Sequence, residues 1–267
     1  MVKQCKPILW YLFVTNGLSM LLKSQVKYIQ SLGHKKFRDT EQVFVAEGPK
    51  LTGELLQAKN IQPLQVYALQ EWVDKNLAAV ERKDVFELHI VREQELSRIS
   101  FLTKPNQVLG LFKKPSFPPI QLEHRISLAL DGIQDPGNLG TLVRIADWFA
   151  IEQIICSEET ADLFNPKVVQ SSMGSLARVQ VLHKDLKRFF SEHAKPPVYG
   201  MLLQGTALQS MGKIEEGIIL VGNESKGISE ELLPFVKHRV TIPRLGHAES
   251  LNAAVATGIV LSHIIST

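Results

Sequence analysis

Ile242-Pro243-Arg244-Leu245-Gly246-His247-Ala248-Glu249-Ser250-Leu251-Asn252-Ala253-Ala254-Val255-Ala256 lies near the end of a chain of 267 residues. A short apolar strand over 239–242 runs into Pro243, and a polar loop with Gly246 follows. Ser250 stands where a helix N-cap belongs, and the spacing of Leu251, Ala254, Val255, Gly258 and Ile259 predicts a helix over 250–265. Ser250 and Asn252 put two hydrogen-bonding side chains into the first turn of an apolar helix. Alone, that is simple capping.

Two other junctions have the same character. Residues 126–144 read as an apolar strand, a Gly/Pro/Asn loop and a helix beginning near Leu139, with Leu139, Leu142, Val143, Ala146 and Phe149 as its buried stripe. Arg144 lies in the half of that helix nearest the loop. Residues 217–229 read as a fully apolar strand that stops at Gly222 and Gly227, which bracket Asn223 and Glu224; Ser229 is expected to cap a further helix. Glycine at a strand's carboxyl end lets a ligand approach the backbone. In open α/β sheets, ligands bind beyond those ends. Strands near 126–132, 152–156, 178–182, 197–202, 217–221 and 238–242 alternate with helices, which predicts a parallel sheet covered on both faces.

The nucleotide-loop alternatives fail on the residues. The 222–229 loop is not a P-loop, because Ile228 follows the second glycine where lysine is required. Gly132, Gly137 and Gly140 do not fit G-x-G-x-x-G.

Working outward, 20–112 reads as a smaller α/β unit. It has helices over 21–32, 48–59 and 93–99 and strands over 43–45, 65–69, 85–89 and 107–112. Residues 113–124 form a linker stiffened by Pro115, Pro118 and Pro119. The second, larger unit is 125–267. Residues 1–19 carry Lys3 and Lys6 before a seven-residue apolar run, 8–14, too short to span a membrane. They are expected to be an upstream extension, with Met20 the natural start.

Apolar residues make up 45% and charged residues 21%, the balance of a globular protein, not of a disordered or membrane chain. The net charge of +3 is uneven. Residues 1–124 carry 17 Lys/Arg against 12 Asp/Glu, and 125–267 carry 13 against 15. A basic first half suggests an acidic partner, with RNA the obvious candidate. Lys23, Lys27, Lys35, Lys36 and Arg38 fall together with no acid between them; Lys35, Lys36 and Arg38 are the expected RNA contacts. Two cysteines and scattered histidines give neither a disulfide framework nor metal-ligand spacing. No metal is expected, and a reducing cytoplasmic compartment is.

Together the three junctions resemble the SpoU (TrmH) family of RNA ribose 2′-O-methyltransferases, within the SPOUT superfamily. The family's first motif is matched by Asn138, Gly140 and Arg144, and its second by Gly222, Asn223, Glu224, Gly227, Ile228 and Ser229. Its third is matched by Ile242, Pro243, Gly246, Ser250, Leu251 and Asn252. Arg244 and Ala253 depart from the common Met and Val. The small first unit is similar to the family's substrate-binding domain, including the stretch 35–50.

The resemblance implies a C-terminal trefoil knot, a homodimer, and S-adenosylmethionine as cofactor. It implies catalytic roles for Asn138, Arg144, Glu224, Ser250 and Asn252, and a cofactor cradle at Leu203, Gly222, Ile242 and Leu251. Arg144 is the family's catalytic arginine. A guanidinium with a pKa above about 12 is a poor base, so a phosphate clamp is the expected role, leaving proton removal to that phosphate or to water. Ribosomal RNA is the preferred substrate. The alternatives are transfer RNA, an inactive RNA-binding protein of the same fold, and base methylation as in other SPOUT branches.

Overall fold

The computed structural model describes residues 21–76 and 86–265. The extension expected over 1–19 lies outside the described residues. The chain divides into two compact units between Lys114 and Pro115.

In the first unit, α1 (Lys23–Ser31), α2 (Lys35–Glu41), β1 (Val43–Glu47), α3 (Pro49–Gln57), β2 (Gln62–Ala68), α4 (Gln70–Lys75), β3 (Glu87–Ile90), α5 (Glu93–Ile99) and β4 (Val108–Lys113) follow in order. The sheet order is β1-β4-β2-β3. β4 runs antiparallel to both neighbours, and β2 and β3 are parallel. Ile29, Leu32, Val45, Tyr67, Leu96, Ile99, Leu109 and Leu111 fill one core cluster. The Glu47 carboxylate at the end of β1 accepts from the Ser100 hydroxyl at 2.5 Å and the Phe101 amide at 2.7 Å, pinning the segment after α5 to the sheet. Burial pushes its carboxyl above the usual range despite those bonds. The sequence reading missed α2 and α4, which have only seven and six residues, about two turns each or fewer.

The expected 113–124 linker is shorter in fact. Lys113 ends β4, and the Lys114 ammonium reaches Asp39 at 2.6 Å. At the far end Leu122 is buried, the Gln180 amide donates to the Pro118 carbonyl at 2.9 Å, and the Gln121 amide donates to Gln153.

In the second unit the elements are β5 (Ile126–Leu130), α6 (Pro136–Trp148), β6 (Gln153–Cys156), α7 (Pro166–Ser172), β7 (Gln180–His183), α8 (Leu186–Glu192), β8 (Val198–Ala207), β9 (Gly217–Val221), β10 (Val236–Thr241) and α9 (Ala253–Ile264). The six strands are all parallel in the order β10-β8-β9-β5-β6-β7. β5 and β9 are central and read as unbroken aliphatic runs because both their faces are covered. Ala129, Ile155, Ile218 and Leu220 pack with Leu186, Phe189 and Phe190 of α8. Leu128, Leu130, Ile154 and Ile219 alternate with them and are fully buried as well. Each such side chain contributes roughly 1.5–3 kcal/mol. β8 is not straight: β10 pairs with it through Arg239↔Gly200 and then Val240↔Thr206, so residues 201–205 loop out of the ladder. Leu203 sits in that excursion.

Three helix expectations are corrected. α6 begins at Pro136, not near Leu139, because Asp135 caps it by accepting from the Asn138 amide and Pro136 has the φ of a first turn. α9 begins at Ala253, and its cap is Asn252, not Ser250. No helix follows Ser229; a turn there leads to a single 3-10 turn, Leu233–Phe235, and then to β10. Gly140 has a packing role, since a Cβ there would stand 2.7 Å from the Val168 carbonyl oxygen of α7.

Candidate active site

Three loops leave the carboxyl ends of strands in the same sheet: 131–135 after β5, 222–229 after its neighbour β9, and 242–252 after β10, which β8 separates from β9. The first two are locked to each other by backbone-directed bonds. The Asn223 side-chain amide donates to the Gly132 carbonyl at 2.6 Å, and its oxygen accepts from the Ser225 and Lys226 amides at 2.9 and 3.1 Å. Asn223 and Gly227 exchange two backbone bonds at 2.9 Å, closing the loop on itself. A Cβ on Gly222 would run into the Gly227 carbonyl, so only glycine lets the loop fold back this tightly. The Asp131 carboxylate accepts the Ser229 amide at 2.7 Å, and the Ser157 hydroxyl receives the Gly132 amide at 2.9 Å.

The third loop joins through one side chain. Asn252 caps α9 by accepting from the Ala254 and Val255 amides at 3.0 and 3.2 Å. Its Nδ2 donates to Asn138 Oδ1 at 2.8 Å, and Asn138 Nδ2 donates to Glu224 Oε1 at 2.6 Å. Asn138, Glu224 and Asn252, separated by 86 and 114 positions from Asn138, thus form a single hydrogen-bonded chain.

Arg144 projects from the exposed side of α6 and has no hydrogen bond or ion pair among the described residues. The acid nearest to it along the helix, Asp147, is already taken. Arg178 grips it at 2.7–3.0 Å and the Ser175 hydroxyl donates at 2.7 Å. Burial works against the Asp147 charge, but these two partners hold its carboxyl below the usual range. The Arg144 guanidinium is therefore unclaimed.

Of the expected cradle, Gly222 and Ile242 are half-buried, and Leu203 and Leu251 are exposed at 81% and 47%. Leu203 is tied to the end of β10, because its carbonyl accepts from the Thr241 hydroxyl at 3.1 Å. Ser250 is exposed and forms no bond to the Asn138 chain among the described residues. Asp131 and Asn223 hold the loops but were given no role from sequence. Their one readable sign is a polar residue at the end of an otherwise apolar strand.

In the first unit Lys35 and Lys36 are exposed, and Lys35 pairs with Asp39 at 2.5 Å. Arg38 corrects the expectation: it is 2% exposed, and its Nη1 donates to the Leu32 carbonyl at 2.7 Å. It holds α2 to the end of α1 and is turned away from solvent. Phe37 beside it is 44% exposed.

The SpoU rRNA methylase family model matches residues 125–262, which contain all three loops. The chain belongs to that family. A model of an MRM3-like substrate-binding domain matches residues 23–110. The 23S rRNA (guanosine(2553)-2′-O)-methyltransferase RlmP of Bacillus subtilis is 29% identical over 245 residues, covering 90% of this chain and 95% of the relative. A solved structure described as a putative RNA methyltransferase of the TrmH family from Porphyromonas gingivalis is 37% identical with a TM-score of 0.80, covering 92% of this chain and 99% of that one. A structure of an AdoMet-bound rRNA methyltransferase from Sinorhizobium meliloti is 30% identical with a TM-score of 0.81, covering 92% and 96%.

This SpoU-family chain is thus an RNA methyltransferase of the S-adenosylmethionine-dependent type, and its six-stranded parallel sheet is the sheet of SPOUT enzymes. Among the described residues no helix is long and apolar enough to cross a membrane, and no group of His, Cys, Asp and Glu could hold a metal ion.

Proposed function

We propose that this enzyme transfers the methyl group of S-adenosylmethionine to a ribose 2′-hydroxyl of ribosomal RNA, with Arg144 clamping a phosphate beside the reacting ribose. The Asn252–Asn138–Glu224 chain carries the reading, because it joins the second and third motif loops to the first turn of α6, which follows the first loop. The names of the family and of the Bacillus relative favour ribosomal over transfer RNA.

The residues present suit the cofactor. Leu203, Leu251 and Leu245 offer exposed apolar surface for a purine and a thioether, and Gly222 and Ile242 at the strand ends are half-buried. Bound S-adenosylmethionine supplies an already activated methyl carbon. The protein's part is alignment and removal of one proton. Ser250, exposed on the third loop, faces solvent from which a nucleotide arrives. The trefoil knot belongs to the same reading, and the free, buried Cys156 accords with a reducing cytoplasm. Tritiated S-adenosylmethionine offered with ribosomal and transfer RNA together should label the ribosomal RNA. Label confined to transfer RNA overturns the substrate assignment.

The first unit is the RNA-capturing part in this account. Lys23, Lys27, Lys35 and Lys36 are exposed, with Phe37 exposed among them as a surface on which a base can stack. Replacing Lys35 and Lys36 by Ala in the full chain should leave cofactor affinity unchanged. It should lower the slope of log K against log salt for RNA by about 1–2. An unchanged slope removes these lysines from the interface.

A homodimer completes the proposal. On α9, Ala254, Thr257, Val260, Leu261 and Ile264 are buried, whereas Val255 and Ile259, with Leu251 just before the helix, are exposed by 40–53%. Trp148 at the end of α6 is 84% exposed. A monomer would leave this apolar surface in water. Light scattering at micromolar concentration should give about twice the 29.9 kDa chain mass; the chain mass itself contradicts the dimer.

A further inference from the structure

The hydrogen-bonded chain at the site has a direction. The Oδ1 atom of Asn252 is fixed by two backbone N–H groups, which can only donate. Its Nδ2 must therefore donate onward, which orients the Asn138 amide with its oxygen towards Asn252 and its nitrogen towards Glu224. The sequence of donors starts at the α9 amino end and stops on Glu224 Oε1. The second carboxylate oxygen, Oε2, has no partner among the described residues, and the side chain is half-buried. The other acids on these loops are differently engaged. Asp131 accepts the Ser229 amide, Asp135 caps α6, and Glu249 is exposed without a bond to the chain. One held carboxylate with one open oxygen thus remains where the three loops meet.

We propose that Glu224 Oε2 accepts the hydrogen bond and then the proton of the ribose 2′-hydroxyl. This rests on the ribose reading above, and it replaces phosphate or water as the proton acceptor. The O2′–H bond breaks and its proton moves to Oε2 as an O2′ electron pair bonds to the methyl carbon. The carbon–sulfur bond breaks with its pair remaining on sulfur, which leaves as a neutral thioether. The proton passes to water after product release. A carboxylate serves because the hydroxyl proton becomes acidic only as the new O–C bond forms. Asn138 is the positioning residue, fixing the carboxylate's rotation so that one oxygen faces outward. Arg144, six residues further along α6 and so about 9 Å along its axis, is left to the phosphate.

The test uses the full chain, a ribosomal RNA that the wild type methylates, and single-turnover rates. Glu224→Ala should lose at least about 100-fold in rate. Sodium formate should restore at least tenfold of that loss in a saturable way, with sodium chloride at equal ionic strength restoring nothing. Glu224→Gln still offers Asn138 an oxygen but cannot take a proton, so it should be equally slow and not respond to formate. Absence of rescue in the Ala variant, with RNA and cofactor affinities near wild type, overturns the proposal. So does a Gln variant with more than a third of the wild-type rate, or one that binds neither RNA nor cofactor, which makes Glu224 a structural residue. Failure of the ribose reading shows separately, in wild-type methylation of RNA lacking the target 2′-hydroxyl.

Discussion

Arg144→Ala is expected to reduce methyl transfer by on the order of 10²–10³-fold while cofactor affinity stays within a few-fold of wild type, the scale seen when one transition-state-stabilising donor is removed. The expectation rests on the side chain being unclaimed. Asp147, its natural partner three residues along α6, is held by Arg178 and Ser175. Arg144 contributes nothing visible to the fold, so its loss should leave thermal stability unchanged. Arg144→Lys retains the charge but not the planar fork that grips two phosphate oxygens at once. It should therefore remain severely impaired. A Lys variant with normal turnover in a tritium-transfer assay would falsify the clamp and leave only a general need for positive charge.

Much of this architecture can be read from the chain, and the reason is physical. Strands buried on both faces must be aliphatic throughout, so β5 and β9 stand out as ISLAL and GIILV, each followed by a glycine-bearing loop. The first two loops are legible for the same cause, because glycines follow the apolar runs: Gly132 at a positive φ of 67°, and Gly222 where a side chain would run into the Gly227 backbone. What escapes is anything decided by partners far away in sequence. Ser250 and Asn252 are both capping residue types. Asn252 caps α9 because its amide also reaches Asn138, 114 positions away, and no local propensity records that. Arg38 was counted with the surface cations, since α2 is only seven residues long and shows no clear period. Once α2 forms, the Arg38 stem runs into the core and its guanidinium finds the Leu32 carbonyl. The outward loop of β8 that carries Leu203 is equally silent in sequence, since it arises from the register jump with β10.

The same distinction applies at the site. Arg144, Asn138, Glu224 and Asn252 were recognisable as residue types in motif order, yet their connections were not. The family resemblance implies a catalytic role for Glu224 without saying which. The structure gives loop ordering to Asn223 and Asp131, and leaves Glu224 at the end of a polar chain with an oxygen to offer. These connections suggest a division of labour among the motif residues. Glycines and Asn223 shape the loop, and Asn138 and Asn252 couple its neighbours; in the proposed mechanism Arg144 meets phosphate and Glu224 meets the hydroxyl.

The central claim is transfer to ribose O2′, and one substrate tests it most directly. Once the labelled nucleotide is mapped, the RNA is remade with a single 2′-deoxy residue at that position. The change removes the proposed nucleophile and little else; every phosphate is retained. The deoxy RNA should bind within about tenfold of the all-ribose version, because one neutral hydroxyl hydrogen bond contributes only about 0.5–1.5 kcal/mol. It should accept no methyl group, and it should compete with the normal substrate. Methylation of the deoxy RNA at the all-ribose rate would place the target on the base and contradict the account.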